Sequence, residues 1–206
     1  MTRAQLLHIL QKFMPPGAEV YAADLLIHYR IQLHIKKPRA TKYGDYRPPG
    51  RGEEHRISLN KDLNPFAFLI TFMHEIAHLL NHEKYNGEVA PHGKEWKQHF
   101  QLVSMPVFEK EVLPPDVKHA LGRYLGNPGA SSCSDPYLFR TLRKYDANPT
   151  LLVEELPLNA IFRMQDGREF VKLEKNRTRY TCKEVSSGRI YLVPGLAQCE
   201  VVIKKQ

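Results

Sequence analysis

Cysteine is scarce: the 206 residues hold only Cys133, Cys182 and Cys199, and no two of them form a Cys-x-x-Cys pair. An odd number of widely spaced cysteines argues against a disulfide framework, and the lack of pairs argues against a thiolate-built structural zinc site. Long hydrophobic runs are absent too. The longest apolar run, residues 66–73, falls far short of the roughly 20 residues a membrane span needs, and the amino terminus has no uninterrupted apolar segment. Cytoplasmic residence is the resulting expectation. Internal repeats and low-complexity tracts are missing as well. Acidic residues are in the minority, 22 against 30 Lys and Arg, and the net charge of +8 favours an acidic partner, nucleic acid being the commonest. With 42% hydrophobic residues the chain can build a core without covalent staples.

What is present is concentrated in one segment, where His74-Glu75-Ile76-Ala77-His78 lies inside an apolar stretch. Residues four apart on a helix stand about 6 Å apart along its axis on one face, so His74 and His78 can each bring a nitrogen to roughly 2.0–2.1 Å from one metal ion. At about 100° per residue, Thr71, His74, Glu75, His78 and His82 share one sector, and apolar side chains cover the rest. Buried imidazole and carboxylate need partners, which a metal and a substrate cleft supply. Asn64-Pro65 reads as the start of this helix and Asn86-Gly87 as its stop.

Catalytic zinc usually takes three protein ligands, so a third is expected downstream. His82 lies too far along a straight helix, and Asn81 and Lys84 stand where an extended motif would need Gly and His. Pro91-His92-Gly93 is the better candidate, a turn placing His92 at the entrance of a helix with Trp96, Phe100 and Val103 on one face. Glu88 and Glu95 remain alternatives.

On these residues, together with Gly44-Asp45-Tyr46-Arg47 and His55-Arg56-Ile57-Ser58-Leu59-Asn60, roughly the first 110 residues resemble the SprT-like metallopeptidase family, which includes proteases of DNA-protein crosslinks. The resemblance implies an α+β fold with a zincin-like metallopeptidase core, one Zn2+ per chain on His74, His78 and His92, and Glu75 as catalytic base. It also implies proteins at DNA as substrates. Many members carry a carboxy-terminal zinc ribbon, which this sequence lacks.

The expected organisation is a metallopeptidase domain at 1–125, a linker with a short helix at 126–150 and a small β-rich domain at 151–206. In the first, helices at 2–13 and 18–29 precede a small, mainly antiparallel sheet packed on the metal helix, and residues 47–52 form a basic connection. In the last, short alternating runs separated by turns predict an antiparallel sheet or barrel. There Lys172, Lys175, Arg177, Arg179, Lys183 and Arg189 interleave with Tyr180 and Tyr191, a pattern able to hold phosphates and stack bases of single-stranded or locally open DNA.

A metal on the three histidines would acidify a water, and Glu75 would accept its proton as it attacks a peptide carbonyl. Tyr43, Tyr46 and Tyr85 are unassigned candidates for a further oxyanion donor. Two rival readings stand beside this peptidase at DNA: a nucleic-acid-binding module with a structural or vestigial zinc site, and a plain cytoplasmic peptidase. Glu75 favours an enzyme, since metal binding alone needs no base there.

Overall fold

The computed structural model describes residues 2–39, 42–129 and 135–202, so Cys133 lies outside the described residues. The fold is α+β and divides into two compact units, residues 1–147 and 148–206.

In the first unit, α1 (Arg3–Leu10) and α2 (Ala18–His28) precede a sheet of β1 (Ile31–Lys36), β2 (Gly44–Arg47) and β3 (His55–Asn60). Thr2 and Gln5 form a capping box that fixes the start of α1. The sheet order is β1-β3-β2, with β3 antiparallel to β2 but parallel to β1 along its whole length. It is therefore mixed, not mainly antiparallel. Residues 48–54 close β2 onto β3 as a hairpin, whereas the chain leaving β1 passes to the far side of β3 before it re-enters the sheet. Strand alternation sends His55, Ile57 and Leu59 inward and Arg56 and Ser58 to the opposite face.

Helix α3 (Pro65–Tyr85) packs on the inner face of this sheet. The Asn64 side chain accepts from the Ala67 N–H, Pro65 sits where its missing N–H costs nothing, and Asn86 ends the helix in a left-handed conformation. The Asn64 amide also donates to Leu142 O (2.9 Å) and Asp146 (2.6 Å), tying in α6 (Pro136–Arg143). Between them run α4 (Lys94–Glu109) and α5 (Pro115–Gly126). One core joins Leu10, Phe68, Phe72, Trp96, Phe100, Val117 and Leu138, so the helix expected within 126–150 belongs to the core of the first unit. Helix α4 continues through Pro106, and in that turn Tyr21 Oη donates to Val103 O at 2.9 Å.

The second unit starts with a short 3-10 turn, Val153–Glu155, followed by β4 (Ile161–Met164), β5 (Glu169–Asn176), β6 (Arg179–Glu184), β7 (Ile190–Pro194) and β8 (Cys199–Val201). They form one antiparallel sheet of order β7-β6-β5-β4-β8, as alternation and turns predict. Its small core holds Val153, Phe162, Phe170, Tyr180, Cys182 and Val193, with Cys182 and Cys199 as buried free thiols. No helix of the described residues is long and apolar enough to cross a membrane.

Candidate metal centre

The middle of α3 and the turn before α4 bring three imidazoles to one point. His78 Nε2 lies 3.1 Å and His92 Nε2 3.2 Å from His74 Nε2. Tetrahedral zinc with Zn–N bonds of about 2.0–2.1 Å holds its ligand nitrogens about 3.3 Å apart, so this spacing is that of three ligand corners. Among the described residues these three histidines form the one group able to hold a metal ion. Burial and mutual repulsion hold the His74 imidazole down to about 2, and burial with the neighbouring His92 holds His78 down to about 4. Burial also lowers His92. All three rings are thereby kept neutral near pH 7, the form whose lone pair binds a metal.

His92 reaches this position through backbone strain. Its φ is +59°, a conformation non-glycine residues adopt sparingly and functional turns often contain. The following Gly93 is required by space, since a Cβ there would come within 2.9 Å of Ala90 O. Glu88 is exposed, and neither Glu88 nor Glu95 joins the group. His82 stands apart, its ring 6.2 Å from Tyr46 and 6.5 Å from His55.

Trp96, expected on the buried face of α4, also forms a wall against all three imidazoles, with ring centroids 4.6 Å from His74, 5.3 Å from His78 and 4.7 Å from His92. The His74 Nδ1 has no hydrogen-bond partner, so packing against Trp96 and Phe100 orients that ring.

Glu75 sits in the same cleft, which the triad shares with Gly44, Asp45 and Tyr46 of β2. Its carboxyl is buried, 6% exposed, and burial pushes it up to about 8 with Asp45 adding to the rise. The Tyr46 backbone N–H donates to it and, with Lys42 and Arg39, pulls the other way. The Tyr46 N–H and the two cations favour the carboxylate, the form that can accept a proton. Burial opposes ionisation of Asp45, but ion pairs to Lys42 (2.7 Å) and Arg47 (3.0 Å) together hold it below the usual carboxylate range. Gly44 is the second glycine that space dictates: a Cβ there would stand 2.5 Å from Glu75 Oε1 and 2.7 Å from Thr71 Cγ2.

Of the three tyrosines considered as donors, Tyr46 lines the cleft, but its hydroxyl pairs with His55 Nδ1 at 3.0 Å. His55 Nε2 in turn meets Glu83 at 3.2 Å. Tyr85 packs near His99, outside the cleft. Tyr43 is likewise absent from the cleft lining.

The expected nucleic-acid residues divide. Lys175, Arg177, Arg179, Lys183 and Arg189 are exposed around β5, β6 and the turns that flank them. Lys172 and Tyr180 are corrections, because the period of two along β5 and β6 turns both inward. Lys172 is 2% exposed, its ammonium donating to the carbonyls of Glu154 and Leu156 and lying 3.9 Å from the Tyr180 ring centre. Tyr191 packs edge-on to Phe170 beneath Arg168, so its ring is also taken up within the unit.

Residues 24–119 match the sequence model of the SprT-like family. Curated relatives include Protein SprT of Pseudomonas savastanoi pv. phaseolicola (strain 1448A / Race 6) and Protein SprT of Pseudomonas fluorescens (strain Pf0-1), each 43% identical over 49 residues, 24% of this chain and 26% of theirs. The match thus spans about a quarter of the length of these relatives. No solved structure matches the chain. The chain carries a SprT-like domain, and that domain contains all three histidines and Glu75.

Proposed function

We propose that the chain is a zinc-dependent endopeptidase with a zincin-like core, acting on proteins associated with DNA. The observation that carries this reading is the convergence of three neutral imidazoles beside a buried carboxyl in one open cleft. An all-nitrogen set of three favours zinc over magnesium or calcium, which prefer oxygen, and leaves a position for water or substrate. When bound, the ion supplies Lewis-acid polarisation of a carbonyl and acidification of water.

The remaining chemistry belongs to the chain's own residues. Glu75 takes the proton of the attacking water on a carboxylate oxygen and passes it to the leaving amine nitrogen. The Tyr46 N–H fixes the carboxylate that does so, and Gly44 lets the strand approach it. β2 is an edge strand, so an extended peptide can add to its free side while lying across the cleft. This favours a peptide substrate over a compact small molecule. The association with DNA is supported by the +8 charge and by the exposed cations of the second unit.

The test compares the parent and Glu75→Gln on a protein substrate, with and without single-stranded DNA. The variant should keep its metal and lose hydrolysis by about 10² to 10⁴, the usual worth of a positioned base. Undiminished activity in Glu75→Gln refutes the assigned chemistry, and a parent rate indifferent to DNA at every salt concentration removes the DNA clause alone.

A further inference from the structure

We propose that the outer face of the three-stranded sheet is a phosphate-binding site that holds the backbone of a nucleic-acid strand beside the metal cleft. The identity of the anion rests on the nucleic-acid reading above; the site rests on its own geometry. Side chains pointing away from α3 on β1, β2 and β3, joined by Arg39, line a pocket of about 150 Å³, several water volumes and so roomy enough for a phosphate group. Its lining carries Lys36, Arg39, Arg47 and Arg56 against a single carboxylate, Asp45.

Three details point to a ligand. Arg47 and Arg56 are direct cross-strand partners on this face, and although Asp45 (3.0 Å) and Glu53 (3.3 Å) each meet one of them, the two guanidinium groups stand side by side. Arg39 is held in place by Asn60 Oδ1 (2.8 Å) and Ser58 Oγ (3.0 Å), two neutral acceptors that fix its guanidinium without neutralising it. His34, opposite Ser58 in the register, lines the pocket with a buried Nε2 that has no hydrogen-bond partner. A preset guanidinium among further cations suits an oxyanion with several acceptor oxygens, and His34 adds a ring whose Nε2 has no partner within the protein.

A nucleic-acid strand satisfies the whole face better than separate carboxylates do. Arg47 and Arg56 lie roughly 5 Å apart across the strands and Lys36 stands four residues further along the register, roughly 13 Å away, a spread that a polyanionic strand can span and one small anion cannot. Asp45 lines both this pocket and the metal cleft, so a strand held here passes the rim at which a protein substrate would be cut.

The experiment titrates a labelled single-stranded oligothymidylate over a range of salt against the parent, Lys36→Ala/Arg56→Ala and Arg177→Ala/Arg179→Ala. Zinc content and thermal midpoint are measured alongside. Lys36 and Arg56 are exposed, so their removal leaves the core intact. The sheet-face variant should bind more weakly, with a salt slope flatter by about 1.4, or about 0.7 for each lost phosphate contact, at unchanged zinc content. The second-unit variant measures the contribution of Arg177 and Arg179 separately, and any flattening there should leave the sheet-face loss in place. An unchanged slope in the sheet-face variant, with the loss in the other, overturns this inference while the nucleic-acid reading stands. Absence of salt-dependent binding by the parent overturns both. Displacement of the oligonucleotide by polyglutamate at equal charge concentration would show an acidic-peptide site and overturn the assignment to phosphate.

Discussion

Replacing Gly44 by Ala adds one methyl group at the point where β2 crosses Glu75, and the structure sets the size of the effect. The new Cβ would stand 2.5 Å from Glu75 Oε1 and 2.7 Å from Thr71 Cγ2, where ordinary contact begins only at 3.4 Å. Relief requires β2 or the Glu75 carboxylate to retreat by nearly an ångström. Thr71 is buried on α3, so the helix side cannot yield cheaply. Overpacking of this kind costs about 1–3 kcal/mol, and at about 2–4 °C per kcal/mol the thermal midpoint should fall by about 2–12 °C. Activity should fall further than stability, because misplacing a reacting group by about 1 Å can cost about 10² in rate. The three histidines come from α3 and the turn before α4, not from β2, so zinc content should stay at the parent value. The assay measures kcat/KM on a protein substrate, bound zinc and the melting curve for Gly44→Ala and the parent. Parent-like hydrolysis together with a parent-like midpoint would falsify the close approach of β2 to Glu75 on which this account of the cleft depends.

Two further outcomes follow from the same geometry. His92→Asn keeps a residue that tolerates positive φ and removes the imidazole, so zinc retained after dialysis should drop well below one equivalent. Zinc-dependent stabilisation should go with it, about 2.7 kcal/mol at a zinc concentration 100 times Kd, whereas His82→Ala should leave both unchanged; equal zinc retention in the two variants would reassign the third ligand. Lys172→Met keeps the aliphatic stem but removes the donor to the Glu154 and Leu156 carbonyls, and should lower stability by about 1–3 kcal/mol in a urea titration with no change in DNA affinity. Weaker DNA binding at unchanged stability would place Lys172 back on the surface.

The metal helix was legible because every signal for it is local. Asn64, Pro65 and Asn86 mark its ends, and a 3.6-residue period gathers His74, Glu75 and His78 on one face. His92 was legible as a turn residue close in sequence to the helix it faces. The parallel pairing of β1 with β3 was not, since it depends on which side of β3 the intervening chain returns. Gly44 and the Tyr46 N–H lie beyond local reading for the same reason: their role appears only when β2 is laid over α3. Lys172 and Tyr180 illustrate a different failure. Basic and aromatic composition alone suggests one surface, although Phe170 and Lys172 on β5, and Tyr180 and Cys182 on β6, follow the inward register of alternate residues. The cations of the outer sheet face are spread over residues 36–56 and meet only through the strand order β1-β3-β2.

The central claim is that His74, His78 and His92 together hold one zinc ion, and zinc K-edge absorption on the purified protein tests it most directly. One equivalent of zinc is predicted, with nitrogen scatterers at about 2.0–2.1 Å whose outer-shell pattern fits three imidazoles, and with loss of one imidazole from whatever zinc remains in His92→Asn. A sulfur shell at about 2.3 Å, or the same three-imidazole spectrum in His92→Asn, would contradict it.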